Sequence, residues 1–331
     1  EYIMRDVDYG WMIRYMHTTG ASLFFAVVYL HMFRGLLYGS YQKPKELVWI
    51  FGCTIYLAMM AEGFLGYVLP YGQMSYWGAQ VIISLFGAIP YIGESLELWV
   101  RGDYYISGIT VSRFFALHVV ALPLVLIALV FLHLVALHEV GAGNPEGVDI
   151  EEHLDEDGVP LDSVPFFPYK VLNALVAIGV FMTVFSIIMF FFPEGGGYFI
   201  EMANFQEANP LVTPDHIAPV WYYAPFYTML RAIPDPLGGL IVMAAAVAIF
   251  FVVPWLDRSK VASIRYKGIY SKIAITMFGV SFLTLGYLGT VGVTEVRKTM
   301  SVICTIIYFA YFLLMPIYTK YETTKEVPER L

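Results

Sequence analysis

The chain has 331 residues, of which 59% are hydrophobic and only 14% are charged, and its formal net charge is −8. A chain this apolar cannot cover itself with a water-soluble surface, so the composition excludes a soluble globular protein. Its two cysteines, Cys53 and Cys304, both fall in or next to apolar runs and make a poor disulfide framework.

Seven apolar runs come close to or exceed the ~18–20 residues that a helix needs to cross a bilayer. They predict an all-α integral membrane protein with helices over 10–35, 46–67, 113–138, 170–193, 238–255, 270–292 and 302–319. Two connections, 68–112 and 194–237, are long and rich in Pro, Gly and aromatic residues. Each connection is expected to contain a short amphipathic helix, over 74–87 and 222–232 respectively.

The distribution of Lys and Arg predicts the orientation of the chain in the membrane. Seven spans place 12 of the 19 Lys and Arg residues on the side that follows the first, third, fifth and seventh helices, and the remaining seven on the other side. The first side is expected to face the cytoplasm or the mitochondrial matrix and is called the inner side below. The acidic segment 146–162, with eight acids and no Lys or Arg, belongs to the inner side and is expected to be solvated.

Four histidines lie inside two of the predicted helices at similar spacings. His17 and His31 are 14 residues apart on the first helix, and His118 and His133 are 15 apart on the third. At about 100° and 1.5 Å per residue, each pair lies broadly on one helix face, with a separation of roughly 21–22 Å that reaches from one leaflet to the other. If the two helices pack antiparallel, His17 meets His118 near the outer surface and His31 meets His133 near the inner one. Each pair would then supply both axial ligands of one haem.

Residues near these histidines fit the same arrangement. Arg14 and Arg34 each lie three residues from a histidine, at the membrane edges where haem propionates would emerge, although ordinary interfacial arginines also occur at such positions. Gly52 and Gly66 on the second helix are 14 apart, and their missing side chains would let a flat macrocycle approach the backbone. Pro123 interrupts the third helix, and a local bulge there would absorb the extra residue in the spacing of 15. The residues expected to contact haem besides the histidines are Arg14, Gly20, Arg34, Gly35, Gly52 and Gly66.

Five stretches carry a resemblance to a known family. They read RDVDYGWMIRYMHTTGAS, GFLGYVLPYGQMSYWGA, SRFFALH, PWLDRSK and WYYAPFYTMLRAIPDPLGG. With them the chain resembles cytochrome b of the quinol:cytochrome c oxidoreductase family (the cytochrome bc complex, or Complex III), and a bacterial member is favoured. That family has eight membrane helices and an N-terminal bundle that encloses two b-type haems, so the resemblance implies that the first helix and the segment before it are missing here.

The resemblance also implies how the chain is divided. Residues 1–140 would form the haem-binding bundle, and 141–169 an acidic loop on the inner side. Residues 170–331 would form a C-terminal membrane domain, whose outer loop 194–237 contributes to the quinol-oxidation site.

The implied function is that of the core electron-transfer subunit of a respiratory quinol:cytochrome c reductase. Such a subunit oxidises quinol at the outer face and reduces ubiquinone or a related quinone at the inner face, with proton translocation. The implied partners are a Rieske iron–sulfur protein, a cytochrome of the c1 type, a second copy of the complex and membrane lipid, with no nucleic acid. The bacterial inner membrane is the favoured location and the mitochondrial inner membrane the alternative.

Two other functions remain open from the residues alone. A dihaem membrane anchor of another quinone-linked dehydrogenase would need only one quinone site, and the two long outer loops argue against it. A cofactor-free transporter would use the intramembrane histidines as a proton relay.

By the same resemblance, quinone would be bound in two places. The outer site would be lined by Phe64, Tyr67, Gly78, Pro219, Trp221, Tyr222 and Tyr227, of which the three tyrosines are counted as catalytic. His138 matches a histidine of the inner site. Near it the family's FHPY followed by Lys-Asp reads FFPYKVLNA, so Asn173 and Ala174 replace two charged residues.

The outer site departs from the family at the position of a catalytic acid. The family's Pro-Glu-Trp-Tyr sequence reads PVWY here, and Val220 stands in place of the glutamate. Glu62, two residues before Phe64, is an acid within an apolar helix, and such a residue is costly unless it faces a cavity or a partner. Glu62 is therefore expected to replace the missing acid as a catalytic residue.

Overall fold

The computed structural model describes residues 1–331 and consists of helices and loops, with no β-strand beyond two isolated bridges. Seven helices are long and apolar enough to cross a membrane, which confirms the predicted all-α membrane class. They are Gly10–Tyr38, Glu46–Val68, Gly108–Val140, Phe166–Phe191, Pro236–Leu256, Ile269–Thr290 and Glu295–Leu313, called the first to the seventh helix below.

The third and the seventh helix begin well before the predicted apolar runs, at starts that side chains cap. The Ser107 hydroxyl accepts a hydrogen bond from a backbone N–H of the first turn, so the third helix begins at Gly108 and not at 113. Thr294 does the same for the seventh helix, which begins at Glu295 and not at 302. The seventh helix also ends earlier than predicted, and a separate short helix, Met315–Tyr321, follows it.

The third helix contains one turn of π-helix at Leu117–Ala121, just before Pro123. Proline has no N–H and its ring crowds the preceding turn, which favours such a local irregularity. A π turn accommodates one extra residue, so the predicted bulge is confirmed. Because His118 lies within this turn, it faces the first helix together with His133 despite the spacing of 15.

The two long outer connections contain the predicted short helices, at Gln73–Ser84 and Ala224–Ala232. The second of these packs against the fifth, sixth and seventh helices. Met229 is fully buried there, and the Thr228 hydroxyl donates a hydrogen bond of 2.7 Å to the carbonyl oxygen of Leu285. The segment that carries the PVWY sequence is thereby anchored to the C-terminal helices.

One hydrophobic core joins the first two helices to the last three. Trp49 on the second helix donates a hydrogen bond of 2.7 Å from Nε1 to the carbonyl oxygen of Phe250. Tyr56 from the same helix shares this core with Phe278 and Tyr308 from the sixth and seventh helices. The N-terminal and C-terminal membrane helices therefore pack as one body. The division of the chain at residues 140 and 169 stays a prediction.

A buried charged cluster also joins the two halves on the inner side. Asp257 accepts hydrogen bonds from the Tyr41 hydroxyl at 2.6 Å, from Gln42 Nε2 at 3.0 Å and from the Lys267 ammonium. The side chains of Asp257 and Lys267 are 0% and 5% exposed. Burial opposes the charge on Asp257, but the neighbouring ammonium and the hydrogen bonds outweigh it and hold the pKa of this carboxyl below its usual range.

Replacing Asp257 by asparagine is expected to lower the free energy of unfolding by about 3–5 kcal/mol, because Lys267 would stay buried without its partner. Thermal denaturation of the detergent-solubilised protein measures the change. Asp162→Asn is the control, since its partner Arg330 is half exposed and would stay solvated without it. Because folding lowers the pKa of Asp257, its stabilisation is present above about pH 4 and is lost as the pH falls through the folded-state pKa. An Asp257→Asn variant as stable as the parent at pH 7 would contradict this role.

The acidic segment of the inner side is held at both ends. The carboxylate of Glu146 contacts the guanidinium of Arg265 and the hydroxyl of Tyr266. Asp162 pairs with Arg330 at 3.1 Å. The expectation of a solvated segment therefore holds for its middle and is wrong for its ends, because cations distant in sequence fold onto these two acids.

Candidate functional site

The first and third helices bring the four intramembrane histidines together in two pairs. The ring centres of His17 and His118 lie 6.1 Å apart with an angle of 88° between the ring planes. Those of His31 and His133 lie 6.4 Å apart at 71°. These are the two pairs expected from the spacing along the helices.

The distance within each pair suits one metal ion held between two imidazoles. Bonds of about 2 Å from the metal to each nitrogen, with about 1.15 Å from nitrogen to ring centre, place the two ring centres about 6.3 Å apart. The structure contains no group of three or more His, Cys, Asp or Glu side chains arranged to hold a metal ion. Two protein ligands fit a metal that brings its own remaining ligands, as haem iron does.

Hydrogen bonding determines which nitrogen of His118 can bind a metal. Its Nδ1 lies 3.0 Å from the backbone carbonyl oxygen of Glu62. A carbonyl oxygen can only accept, so Nδ1 carries the proton and Nε2 keeps a free lone pair. The side chains of His17 and His31 are exposed although they lie in an apolar helix, so their ring nitrogens are accessible to a ligand. The residues present therefore fit two haem groups.

Two glycines of the second helix face the two pairs. A Cβ atom placed on Gly66 would lie 2.9 Å from Nε2 of His118, and a Cβ on Gly52 would lie 3.3 Å from Cε1 of His133. The absence of a side chain at each position leaves room at the level of one histidine pair. The two glycines thus lie where the sequence predicts that a flat macrocycle approaches the backbone.

The other four residues predicted to contact haem lie on the first helix, which carries His17 and His31. Arg34 donates a hydrogen bond of 3.1 Å from Nη2 to the carbonyl oxygen of Gly143, so it reaches the segment that follows the third helix. Arg14 is partly buried. A Cβ on Gly20 would be in ordinary contact at 3.8 Å, whereas one on Gly35 would lie 3.0 Å from an aromatic ring of the second helix. The contacts of these four residues with haem stay predictions.

Glu62 lies against the outer histidine pair. Its Oε1 is 3.0 Å from Nδ1 of His118, and its Oε2 is buried without a hydrogen-bond partner. Val220 packs against the shared hydrophobic core. The contact with His118 was missed by sequence reasoning, because the two residues lie 56 positions apart on different helices.

The residues of the PVWY segment are held by contacts with the first helix and with backbone. Tyr222 is buried and stacks on Phe25, with ring centres 3.9 Å apart and planes 4° apart. Trp221 Nε1 donates to the Ser22 hydroxyl at 3.4 Å. The Tyr227 hydroxyl donates to a backbone carbonyl oxygen at 3.0 Å. All three aromatic residues are thus fixed in place, and their contact with quinone stays a prediction.

The other predicted residues of the outer site lie near the outer end of the second helix and beyond it. The Phe64 ring lies 5.9 Å from the ring of Phe114, and Tyr67 and Pro219 are partly buried. A Cβ on Gly78 would meet no atom within 4 Å, so there is open space in front of this residue. Such space is what a residue facing a quinone ring requires.

The predicted inner-site residues lie on the third and fourth helices. His138 is exposed, and its Nδ1 lies 2.8 Å from the carbonyl oxygen of Leu134, one turn earlier in the same helix. Asn173 and Ala174 are exposed on the fourth helix. No hydrogen bond joins His138 to Asn173.

Three tyrosines close to the outer site were missed by sequence reasoning. The Tyr29 and Tyr56 hydroxyls lie 3.1 Å apart, and Tyr29 also donates to the carbonyl oxygen of Tyr222. The Tyr223 hydroxyl donates to the carbonyl oxygen of Met60 at 2.7 Å. Tyr223 could have been found because it directly follows PVWY. The other two look like ordinary aromatic residues of apolar helices.

The fold and the paired histidines define an integral membrane protein of the b-type cytochrome class. Residues 1–141 match the family described as "Cytochrome b/b6/petB", and residues 207–309 match "Cytochrome b(C-terminal)/b6/petD". The chain belongs to the cytochrome b family, which confirms the resemblance seen in its sequence motifs.

Relatives support this assignment over the whole length of the chain. Cytochrome b of Allochromatium vinosum is 57% identical over 100% of this chain and 82% of that protein. A protein of Bradyrhizobium diazoefficiens named cytochrome b/c1 is 44% identical over 100% of this chain and 47% of its own length. A chain of a solved structure described as a hyperthermophilic respiratory Complex III has a TM-score of 0.89 at 35% identity, covering 97% of this chain and 82% of that chain. The bacterial relatives agree with the favoured bacterial origin.

Proposed function

We propose that this chain is the core electron-transfer subunit of a respiratory quinol:cytochrome c reductase. It oxidises quinol at the outer face, reduces ubiquinone or a related quinone at the inner face, and couples the two reactions to proton translocation. The proposal rests on the two histidine pairs, His17 with His118 and His31 with His133, called the outer and inner clamps below. Their ring centres lie 6.1 Å and 6.4 Å apart, on helices long and apolar enough to cross the membrane.

The four histidines would hold two b-type haems. His17 with His118 would ligate the outer haem, and His31 with His133 the inner one. Haem bound in this way supplies reversible one-electron transfer. Because two histidines of the protein would hold each haem, such a site would favour electron transfer over binding of oxygen. Arg14 and Arg34 would neutralise the propionates at the two membrane edges.

The separation of the two clamps supports quinone chemistry on opposite faces. Along a helix with about 1.5 Å rise per residue, 14 residues separate the clamps by roughly 21 Å, which is most of a ~30 Å hydrocarbon core. Moving one charge across a membrane costs about 2.3 kcal/mol per 100 mV. A protein that separates charge over this distance can store redox energy as a membrane potential.

The outer quinone site would lie beside the outer clamp. Gly78 has open space in front of it, and Glu62 connects this region to His118. Tyr223 is bonded to the backbone two residues before Glu62, so the PVWY segment and the second helix meet here. The aromatic residues exclude water and orient the quinone ring.

The proposed partners are a Rieske iron–sulfur protein, a cytochrome of the c1 type and a second copy of the complex. The similarity to a chain of a respiratory Complex III and to a cytochrome b/c1 protein supports such an assembly. The proposed location is the bacterial inner membrane, in line with the bacterial relatives.

A reduced-minus-oxidised optical spectrum of the purified complex, followed by a redox titration, tests the proposed function. Two b-type components with different midpoint potentials are expected, together with reduction of cytochrome c by quinol. Two haems with quinone activity that needs no Rieske protein would indicate a dihaem anchor of another dehydrogenase. A spectrum without haem would favour the proton-relay transporter and would refute the proposal.

Glu62→Gln is expected to slow quinol oxidation by roughly 100-fold or more, if this carboxylate replaces the acid absent at Val220. The rate of cytochrome c reduction by quinol measures the effect. Glu46→Gln, at the opposite end of the same helix, is the control and should leave the rate unchanged.

A second measurement distinguishes the proton-acceptor role from a positioning role. If Glu62 only holds His118, the spectrum or midpoint potential of the outer haem should shift in Glu62→Gln. If it accepts a proton, the spectrum should stay unchanged and Val220→Glu in the same background should restore part of the rate. Turnover at the parental rate across pH 6–8 would rule out both roles.

A further inference from the structure

A cationic depression lies on the outer side, between the short helix Ala224–Ala232 and the adjoining ends of the sixth and seventh helices. It is open to solvent and is lined by Arg231, Arg297 and Lys298, together with Leu288 and Ser301. The outer side has only seven Lys and Arg residues in all, and three of them meet here. This concentration of charge requires an explanation.

The three cations have no acidic partner within the protein. None of them takes part in any of the six ion pairs of the structure. Arg231 donates from Nη2 to the carbonyl oxygen of Leu288 at 2.9 Å, but its Nε is buried without a hydrogen-bond partner. Arg297 donates to the carbonyl oxygen of Gly292 at 2.8 Å, and the Lys298 ammonium forms no hydrogen bond. Unpaired charge and an unsatisfied buried donor favour binding of an anion.

The surface beside the depression is apolar. Lys298, Val302 and Ile306 follow one another at four-residue intervals and therefore share one face of the seventh helix. Val302 and Ile306 are 36% and 62% exposed, and Val293 at the rim is 62% exposed. An apolar stripe thus runs from the cationic depression into the membrane-spanning part of the helix.

We propose that this depression binds the phosphate of an anionic phospholipid of the outer leaflet. Arg231, Arg297 and Lys298 contact the phosphate, and an acyl chain lies along Val302 and Ile306. A diester phosphate with two fatty chains matches both features, whereas a free phosphate ion would use only the first. The site is separate from the histidine clamps, although Arg231 also lies over the ring of Tyr227 at 4.5 Å. Binding of the lipid does not require quinone chemistry, so the inference does not depend on the proposed function.

The test uses the purified, delipidated complex in a neutral detergent, with lipid binding measured by native mass spectrometry. Phosphatidylglycerol is titrated against phosphatidylcholine and against inorganic phosphate. The double variant Arg297→Gln/Lys298→Gln is expected to bind phosphatidylglycerol about 30-fold more weakly, and Lys298→Gln alone about fivefold more weakly. The matched control is Arg258→Gln/Lys260→Gln, which removes the same two charges from the inner side and should bind like the parent.

Several results would overturn the proposal. Equal binding of phosphatidylglycerol by the parent and the double variant would show that the cations do not hold the lipid. An equal loss in the control variant would show that binding depends only on total charge. Displacement of the lipid by millimolar inorganic phosphate would indicate a site for a free anion. Lys298→Gln controls for misfolding, because the side chain of Lys298 is exposed and forms no hydrogen bond or ion pair.

Discussion

Replacing His133 by leucine is expected to remove one of the two b-type signals from the reduced-minus-oxidised spectrum and to leave the other in place. His31 alone would supply only one of the two protein ligands, and leucine fills a similar volume without a ligating atom. The pair of His17 and His118 is unaffected, since it lies about four helical turns away. Quinol should still reduce the outer component.

Two further variants sharpen this test. His118→Leu should remove the other signal, so the two variants together assign each spectral component to one pair. His153→Leu, in the acidic segment, is the control and should leave both signals intact. Two intact signals in His133→Leu would show that the pairing is wrong, whatever the turnover of the variant.

Gly66→Leu is expected to prevent normal incorporation of the outer haem. A Cβ at this position would already lie 2.9 Å from Nε2 of His118, and leucine adds three more carbons at the level of the outer clamp. Overpacking typically costs about 1–3 kcal/mol, and loss of the haem would add to this. Haem content per assembled complex measures the effect. Leu65→Ile is the control, since it conserves volume at a neighbouring buried position.

A series of smaller changes gives the same hypothesis a graded test. An added Cβ would meet its nearest non-hydrogen neighbour at 3.8 Å on Gly20 and at 3.3 Å on Gly52, and it would be closer still to the histidine ring on Gly66. Haem content should therefore fall in the order Gly20→Ala, Gly52→Ala, Gly66→Ala. Normal haem content in both Gly66 variants would refute a role for this glycine in the outer clamp.

The membrane architecture was predictable because burial in lipid depends on local composition. Each of the seven predicted runs corresponds to a membrane-spanning helix. The starts of the third and seventh helices were less predictable. They depend on the Ser107 and Thr294 hydroxyls, which satisfy backbone N–H groups in segments that are not apolar. Hydropathy does not register such caps.

The histidine pairs were also predictable, because helical periodicity is a local property. Two spacings of 14 and 15 residues on two helices sufficed to pair His17 with His118 and His31 with His133. Pro123 pointed to the bulge that reconciles the unequal spacings. Haem ligation by these pairs stays a prediction.

Which residues lie around the histidine pairs, and which buried charges meet elsewhere, could be known only from the tertiary structure. The contact of Glu62 with His118, the cluster of Asp257 with Lys267 and the cationic depression around Arg231 each join residues from different parts of the chain. The sequence by itself determined which side chains each helix presents on one face, since the periodicity and polarity of a helix depend on nearby residues. Only the packing of the helices decided which polar groups meet, because a buried charge needs a partner that can come from any distance along the chain.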